Sequence, residues 1–243
     1  MKNILFIVCT HGNEAAPLGV LEDVIKKYGE NSFYKNCDYV IGNPKALEKN
    51  IRFTETDLNR IYPGNSVSEL YEERRAAELL AYAKQFRFVI DLHTTTADSG
   101  IFTLVTKGTN SNNELASKLF PKKIVIWEST SGRATGPITS FLDSACEIEC
   151  STANPEYLED LKISIIDAID IADKKVEKKE WYKVVGSMPE SDKASYPLLK
   201  DFSVVLYQKK PLYPLLTGRY SGKACYLMEK MNDPLFANTN QQG

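Results

Sequence analysis

Residues 3–14 read NILFIVCTHGNE, an apolar run that changes abruptly into a polar turn. A short continuous apolar run closed by a turn indicates a strand buried on both faces, as in a sheet covered by helices. The run is too short for the apolar core of a signal peptide, and no small-residue cleavage pattern follows it. We therefore interpret residues 3–9 as the first strand of an α/β sheet and residues 10–14 as the turn that leaves it.

Strand-like and helical patterns alternate over the first two thirds of the chain. Further strands are predicted at residues 38–41, 88–92, 101–105, 123–127 and 146–150. Helices are predicted at residues 18–28, 66–85 and 155–172, the second with Ser66 and Glu69 at capping-box spacing. Such alternation predicts an α/β fold in which helices cover both faces of the sheet.

The pattern changes after a lysine- and glutamate-rich stretch at residues 174–180. Beyond it, short β-like segments at 182–185, 202–207 and 224–228 are separated by proline and glycine turns. We predict two units on this basis. An α/β domain occupies residues 1–180, and a small β-rich unit occupies residues 181–243.

Composition narrows the class of protein. The 243 residues are 43% hydrophobic and 26% charged, which is typical of a globular protein. The 30 basic and 32 acidic side chains leave no basic excess, so we expect no nucleic-acid partner. No apolar run approaches the ~18 residues of a membrane span, so we expect no membrane association. The five cysteines are odd in number and lie mostly in apolar segments, which predicts packed free thiols and a cytoplasmic location.

The chain contains only two histidines, and both follow predicted strands. His11 belongs to a His-x-x-Glu pair with Glu14, and His93 ends the strand predicted at 88–92. Because sites in α/β sheets gather at the carboxyl ends of strands, these side chains and Glu149 are expected to converge. Two imidazoles and a carboxylate suit a catalytic zinc ion, although other divalent ions tolerate the same ligands. A His-x-x-Glu spacing also arises by chance, and a histidine at a helix start needs no metal.

Four segments, taken in order, carry a resemblance to a known family. They are THGNE at 10–14, NPKA at 43–46 with Arg52 and DLNR at 57–60, DLHTT at 91–95, and EIEC at 147–150. Together they resemble the aspartoacylase and succinylglutamate desuccinylase family, which is related to zinc carboxypeptidases. The likeness covers roughly residues 3–155 and weakens beyond them. It implies a zinc-carboxypeptidase-like mixed sheet flanked by helices, followed by the small β-rich C-terminal unit.

The resemblance assigns roles to the reaction centre. His11, Glu14 and His93 are implied to be the ligands of one Zn²⁺ per chain. Glu149 is implied to be the general base and later the general acid, although Glu147 lies on the same face of the strand by alternation. Arg52 matches the arginine that polarises the carbonyl group. Asp91 is either a partner of the His93 ring or a strand-end residue that bonds local backbone, and Asp57 either orients an arginine or caps a turn.

The resemblance also implies substrate contacts, with some departures. Asn59 and Arg60 match the pair that holds the substrate carboxylate, and Tyr213 resembles a substrate-contacting tyrosine. Aspartoacylases carry a second carboxylate-binding arginine shortly before the catalytic glutamate, where this chain has Thr139. Arg133, six residues earlier, could supply that charge after a shift. Without it, the site would hold one cation fewer, and the substrate side chain would be less acidic than aspartate.

We therefore predict a zinc-dependent amidohydrolase, or deacylase, that cleaves the amide bond of an N-acyl amino acid. The expected partner is this small-molecule substrate, and dimers in the family suggest a homodimer. One alternative is a carboxypeptidase-like enzyme acting on short peptides. The other is a non-catalytic metal-binding protein of the same fold.

Overall fold

The computed structural model describes residues 3–128 and 134–236. Ten strands are found in these two ranges. In chain order they are β1 (Ile4–Val8), β2 (Cys37–Ile41), β3 (Phe88–Thr95), β4 (Ile101–Val105), β5 (Lys123–Ile126), β6 (Ala145–Ser151), β7 (Glu180–Pro189), β8 (Val205–Tyr207), β9 (Lys210–Leu215) and β10 (Lys223–Met231).

The strands form one mixed sheet in the order β2-β1-β3-β6-β4-β5-β7-β10-β9-β8. The first four run parallel to one another. The direction reverses between β6 and β4, which pair antiparallel. β4, β5 and β7 are again parallel, and the last three strands continue as antiparallel neighbours. This confirms the prediction of a mixed sheet.

Six α-helices connect or cover these strands in the described residues. They are α1 (Ala16–Tyr28), α2 (Glu30–Asn36), α3 (Pro44–Glu48), α4 (Tyr71–Ala83), α5 (Asn110–Lys118) and α6 (Glu156–Ala168). Four shorter 3-10 turns span Leu58–Arg60, Ile138–Phe141, Ile171–Asp173 and Glu190–Ser195.

Strand β1 shows why helices cover both faces of the sheet. All five of its residues are buried, as its unbroken apolar sequence predicts. Phe6 and the other β1 residues on the same face of the sheet pack in one core with Leu21 of α1 and Leu161 of α6. Leu5 and Ile7 point to the other side and pack in a second core that includes Leu79 of α4. The prediction of helices on both faces is therefore confirmed.

The helix predicted at residues 66–85 corresponds to α4, and its predicted start was wrong. α4 begins at Tyr71, and its N-cap residue Leu70 makes no side-chain capping bond, so Ser66 and Glu69 form no capping box. Instead, the backbone N–H of Tyr71 donates to the carboxylate of Glu55, sixteen residues earlier. A carboxylate that is distant in sequence thus accepts from the free N–H at the helix start. Residue spacing within the helix cannot reveal this contact.

Several elements differ from the sequence predictions. Four elements were not predicted: α2, α3, α5 and β9. The sequence of α5 begins with the polar run NSNN, so its apolar side is difficult to recognise from the sequence. Strands β3 and β6 extend further than predicted, to Thr95 and Ser151. His93 therefore lies inside β3, and Glu149 lies inside β6 as the prediction had it, so backbone pairing fixes the direction of both side chains.

The strands after residue 180 continue the main sheet, since β7 pairs in parallel with β5. The predicted division into units 1–180 and 181–243 stays a prediction. All five cysteines are buried and free, as predicted. Within the described ranges, no helix combines the length and the apolar character that crossing a bilayer would require.

Candidate active site

The site lies where three neighbouring parallel strands end or pass the same edge of the sheet. His11 follows β1, His93 lies in β3, and Glu149 lies in β6. His93 and Glu149 are direct partners in the register of the two strands. The structure therefore brings together the three segments that the sequence placed at strand ends, as expected for an open α/β sheet.

His11, Glu14 and His93 form a buried cluster. Nδ1 of His11 lies 2.8 Å from Glu14 Oε1, and Nδ1 of His93 lies 3.1 Å from Glu14 Oε2. One donor atom from each residue lies within 4.8 Å of the other two. The backbone N–H of Thr94 also donates to Glu14 Oε2, at 3.1 Å, and holds the carboxylate in place.

Each imidazole has a carboxylate at its other nitrogen. Nε2 of His11 lies 3.0 Å from Asp57 Oδ1. Nε2 of His93 lies 3.1 Å from Asp91 Oδ2 but does not meet hydrogen-bond geometry. Thr10 Oγ1 donates to both oxygens of Asp91, at 2.9 and 3.0 Å. Asp91 thus lies beside the ring of His93, which is one of the two roles considered for it. It also accepts from Thr10, which follows the neighbouring strand β1.

The charges of the cluster depend on one another. Burial lowers the pKa of His11, but hydrogen bonds to Asp57 and Glu14 outweigh it and raise that pKa above its ordinary value. Burial also lowers the pKa of His93, but the negative charge of Asp91 outweighs burial and raises this pKa well above its ordinary value. Burial raises the pKa of Glu14, yet both histidines hold it well below its usual range. Positive charge is therefore favoured at the centre of this cluster.

This donor set fits a divalent cation. Two imidazole nitrogens and a carboxylate oxygen converge, and the opposite ring nitrogens face carboxylates, as is common for metal-binding histidines. A cation at the centre would replace the protons that the two rings otherwise carry. The residue types and their convergence therefore suit a divalent cation such as zinc.

Gly12, in the turn between His11 and Glu14, is required by close packing and not by an unusual backbone conformation. Its φ is not positive, whereas Cys9 adopts φ 54°. A Cβ on Gly12 would lie 2.0 Å from the carbonyl carbon of Ala46 in α3. The glycine permits close approach of two backbone segments. Asn43 caps α3 by accepting from the N–H of Ala46 at 3.1 Å, which positions that helix.

Arg52 is held beside the cluster by Asp57. Its Nε and Nη2 donate to Asp57 Oδ2 at 3.1 and 2.9 Å, and its Nη1 lies 3.8 Å from Glu14 Oε1. Asp57 Oδ1 also accepts from the backbone N–H of Asn59 at 3.0 Å. Asp57 therefore both orients an arginine and caps a turn, the two roles left open by the sequence. The histidine contact of the same carboxylate was not predicted.

Asn59 and Arg60 follow in the 3-10 turn and line the same cavity. Arg60 Nη1 donates to the carbonyl oxygen of Asn59 at 2.8 Å. Oδ1 of Asn59 is buried and has no hydrogen-bond partner among the described residues. Since a buried polar atom without a partner is costly, a ligand that donates to it would stabilise the turn.

Glu147 and Glu149 both reach the cavity from β6. Burial raises the pKa of Glu149 to about 7. Burial also raises the pKa of Glu147, whose Oε1 accepts from Thr139 Oγ1 at 3.1 Å. Only 2% of Glu147 is exposed, whereas Glu149 is partly exposed to the cavity. Of the two, Glu149 is the more accessible to a ligand.

Comparison with known proteins identifies the family of this chain. The model of the succinylglutamate desuccinylase/aspartoacylase catalytic domain matches residues 1–128, more than half of the chain. The chain belongs to this family. A probable aspartoacylase of Prochlorococcus marinus is 37% identical over 110 residues, which cover 41% of this chain and 36% of that protein. An N-acyl-aromatic-L-amino acid amidohydrolase of Xenopus laevis is 32% identical over 137 residues, covering 50% and 44%.

The likeness in fold extends well beyond the residues that the family model matches. The crystal structure of murine aminoacylase 3 superposes with a TM-score of 0.75 at 21% identity, covering 95% of each chain. At this identity the likeness shows the fold. By sequence, the matched segments span less than half of the length of the curated relatives named above.

The structure gives the surroundings of two further residues that the family likeness singled out, Thr139 and Tyr213. Thr139 is fully buried, and its hydroxyl is shared between Glu147 and Thr106 Oγ1 at 2.8 Å. Tyr213 does not line the cavity; its ring packs on Tyr182, with 5.2 Å between ring centroids. Its position therefore does not support the predicted substrate contact. Arg133 lies outside the described residues.

The cavity of this family member has a volume of about 450 Å³ and several walls that the sequence did not indicate. Its lining includes Trp127, Tyr226, Tyr220 and Arg219. The rings of Trp127 and Tyr226 are 4.3 Å apart, and those of Tyr220 and Tyr226 are 5.5 Å apart. These residues lie after β5, in β10 and in the β9–β10 connection, so only the order of strands in the sheet brings them to the site.

Proposed function

We propose that this chain is a zinc-dependent amidohydrolase that cleaves the amide bond of an N-acyl amino acid. One observation carries the proposal. The cluster of His11, Glu14 and His93 borders the cavity through His11 and Glu14, and the same cavity is lined by a carboxyl group with a raised pKa, Glu149, on the strand next to that of His93. A metal site beside a carboxyl that titrates near neutrality is the arrangement required for metal-assisted hydrolysis of an amide.

His11, Glu14 and His93 would hold one zinc ion per chain. When bound, zinc would polarise the acyl carbonyl group and make a water molecule more acidic. Asp57 and Asp91 would orient the two rings so that both Nδ1 atoms point inward. The two imidazoles and the carboxylate leave room in the cavity for substrate and water, as in catalytic rather than structural zinc sites.

Glu149 would move the protons. As a carboxylate it accepts a proton from the attacking water, and as a carboxylic acid it then donates that proton to the leaving amine nitrogen. A pKa of about 7 allows both states near neutral pH, and proton transfer is most efficient in this range. Glu147 is the less suitable base because Thr139 occupies one of its oxygens.

Arg52 would stabilise the oxygen of the scissile carbonyl as negative charge develops on it. Asp57 fixes the guanidinium through two hydrogen bonds, so little reorganisation is needed during the reaction. Arg60 would bind the α-carboxylate of the substrate, since a planar guanidinium can make two parallel bonds to it. The unpartnered Oδ1 of Asn59 would accept a hydrogen bond from the substrate beside it.

Further parts of the proposal rest on the family likeness alone. They are a substrate contact of Arg133 or Tyr213 and a homodimer. The proposed small C-terminal unit at 181–243 rests on the change of sequence pattern after residue 180. The proposed cytoplasmic location is supported by the five buried free cysteines.

The test is hydrolysis of a panel of N-acetyl and N-succinyl amino acids by purified, zinc-loaded protein, with a chelated sample as the control. We expect metal-dependent release of the free amino acid. Cleavage of short peptides with a free carboxyl terminus, and not of N-acyl amino acids, would instead favour the carboxypeptidase-like alternative. Zinc binding without cleavage of either class would favour a non-catalytic metal-binding protein.

A further inference from the structure

The segment at residues 52–57 carries two side chains of the proposed reaction centre. Arg52 is its first residue and Asp57 its last. The segment lies between α3 and the 3-10 turn at Leu58–Arg60 and contains no helix or strand. Because it has no regular hydrogen bonding of its own, its conformation depends on the bonds that its backbone makes to other elements. The positions of Arg52 and Asp57 therefore depend on what holds the segment between them.

Glu72 of α4 binds the middle of this segment. Its Oε1 accepts from the backbone N–H and from the hydroxyl of Thr54, both at 2.6 Å. Its Oε2 accepts from the backbone N–H of Glu55 at 3.2 Å. The side-chain amide of Asn43, which caps α3, also donates to Oε1 at 3.2 Å. One carboxylate thus joins the 52–57 segment to both α3 and α4.

The segment binds α4 in return. The carboxylate of Glu55 accepts from the backbone N–H of Tyr71, the first residue of α4 and the neighbour of Glu72. A capping box has the same reciprocal pattern, in which a side chain from each partner accepts from the backbone of the other. Here the two partners are separate segments of the chain. The two contacts together fix the segment against the start of the helix.

Glu72 is a fully buried carboxylate whose hydrogen-bond donors are all uncharged. Its exposed fraction is 0%, and the donors are backbone N–H groups, a hydroxyl and an amide. Burial raises the pKa of Glu72, but the hydrogen bonds from Thr54 outweigh burial and hold this pKa below its ordinary value. A buried carboxylate is unfavourable unless such donors surround it. Since Thr54 and Glu55 supply most of them, ordering of the segment and burial of Glu72 depend on each other.

The segment, held in this way, sets the position of the reaction centre from both of its ends. The guanidinium of Arg52 and the ring of His11 bind the two oxygens of Asp57. The carbonyl oxygen of Arg52 accepts from the backbone N–H of Gly12, the residue after His11, at 3.3 Å. Glu72 itself is not part of the cavity lining. A displacement of the segment would therefore move Arg52 and Asp57 relative to His11.

We propose that Glu72 is a positioning residue for the reaction. It holds the 52–57 segment so that Arg52 reaches the carbonyl oxygen of the scissile amide and Asp57 supports the ring of His11. The inference rests on the proposed function for the role of Arg52. It gives a side chain of α4, which touches neither the substrate nor the metal ligands, an effect on the rate of the chemical step.

The first experiment measures kcat and KM of the zinc-saturated Glu72→Gln variant, with the best N-acyl amino acid of the panel as substrate. The glutamine amide keeps an acceptor oxygen, but its NH2 group meets a backbone N–H that donates to a carboxylate oxygen in the wild type. We expect kcat to fall by about 10- to 100-fold, since a misplacement of about 1 Å at a reaction centre has an effect of this size. KM should change by less than about 3-fold, because Arg60 still binds the substrate carboxylate.

Three further variants identify the path of the effect. Glu69→Gln, at an exposed position just before α4, is the matched control and should keep both constants. Thr54→Val removes one donor to Glu72 and keeps the backbone contact, so it should give the same pattern with a smaller loss. In an Arg52→Gln background, Glu72→Gln should lower kcat by less than about 3-fold more, because the group it positions is already absent. Full multiplication of the two losses would overturn the inference, since Glu72 would then not act through Arg52.

Hydrogen exchange in the metal-free protein separates this inference from the proposed function. Peptides that contain residues 52–57 should exchange about 10-fold faster in Glu72→Gln, whereas peptides from β1 and β3 should exchange as in the wild type. If no N-acyl amino acid is cleaved but this local change occurs together with lower zinc affinity, the proposed function fails and the positioning role of Glu72 stands. Wild-type kcat and exchange in the variant would overturn the role. Faster exchange throughout the chain would also overturn it, since Glu72 would then only stabilise the fold.

Discussion

Nε2 of His11 lies 3.0 Å from Oδ1 of Asp57, a residue 46 positions further along the chain. The other oxygen of the same carboxylate accepts two hydrogen bonds from Arg52. One side chain thus links a proposed zinc ligand to the arginine proposed to stabilise the oxyanion. Binding of metal and binding of the scissile carbonyl are therefore expected to depend on the same aspartate.

Asp57→Asn is expected to lower zinc affinity by about 10- to 100-fold, because the amide is a weaker acceptor for the His11 ring and cannot pair with Arg52. Affinity would be measured by competition with a chelator of known strength. Asp143→Asn, at an exposed position, is the control and should retain wild-type affinity. Equal affinity in both variants would show that Asp57 does not support the metal site.

His93→Ala is expected to abolish stoichiometric zinc binding. The variant removes one of three converging donors and leaves Glu14 with a single imidazole partner. The number of zinc ions per chain after dialysis would be measured by elemental mass spectrometry. Circular dichroism would verify that the variant is folded. A folded His93→Ala protein with one zinc per chain would contradict the ligand assignment.

Glu149→Gln is expected to keep zinc and to lose about 10²- to 10⁴-fold in kcat, the usual size of a general acid–base contribution. Glu147→Gln is the matched variant two residues away on the same strand face. Its loss should be smaller, because Glu147 is buried against Thr139 and less accessible to substrate. The reverse order of losses would assign the base to Glu147.

The pH dependence of kcat/KM should have an acidic limb that belongs to Glu149. Burial raises the pKa of this carboxyl to about 7, so it is protonated and unable to act as a base at lower pH. Activity should therefore rise with pH. A bound cation favours the ionised form, so the midpoint is expected between 4.5 and about 7. Residual activity of Glu149→Gln that kept the same limb would assign it to another group.

Gly12→Ala is expected to destabilise the fold by about 1–3 kcal/mol, because its Cβ would overlap the backbone of Ala46. Gly19 in α1 is a suitable control, since a Cβ there meets no atom within 4 Å. Gly19→Ala should stabilise the protein by roughly 0.5–1 kcal/mol. Denaturant unfolding of both variants measures the difference. Similar stabilities would show that the turn relaxes without cost.

The sequence by itself predicted the layered α/β fold and indicated which residues meet in the central cluster. Apolar runs such as residues 3–9 report burial directly, because a strand covered on both faces excludes polar side chains. Both histidines follow or end such runs, so the topology of parallel strands was sufficient to place them together. Residues near each other in sequence, such as His11 and Glu14, needed only a tight turn.

Only the tertiary structure decided how that cluster is supported and what surrounds it. It paired Asp57 with His11, placed Thr139 against Glu147, turned Tyr213 toward Tyr182, and brought Arg219 to the cavity. These contacts join segments that are distant in sequence and fold next to one another only because of the order of strands in the sheet. Hydrophobic periodicity is a local property and reports which residues are buried, whereas the partner of a polar side chain depends on the packing of the whole domain.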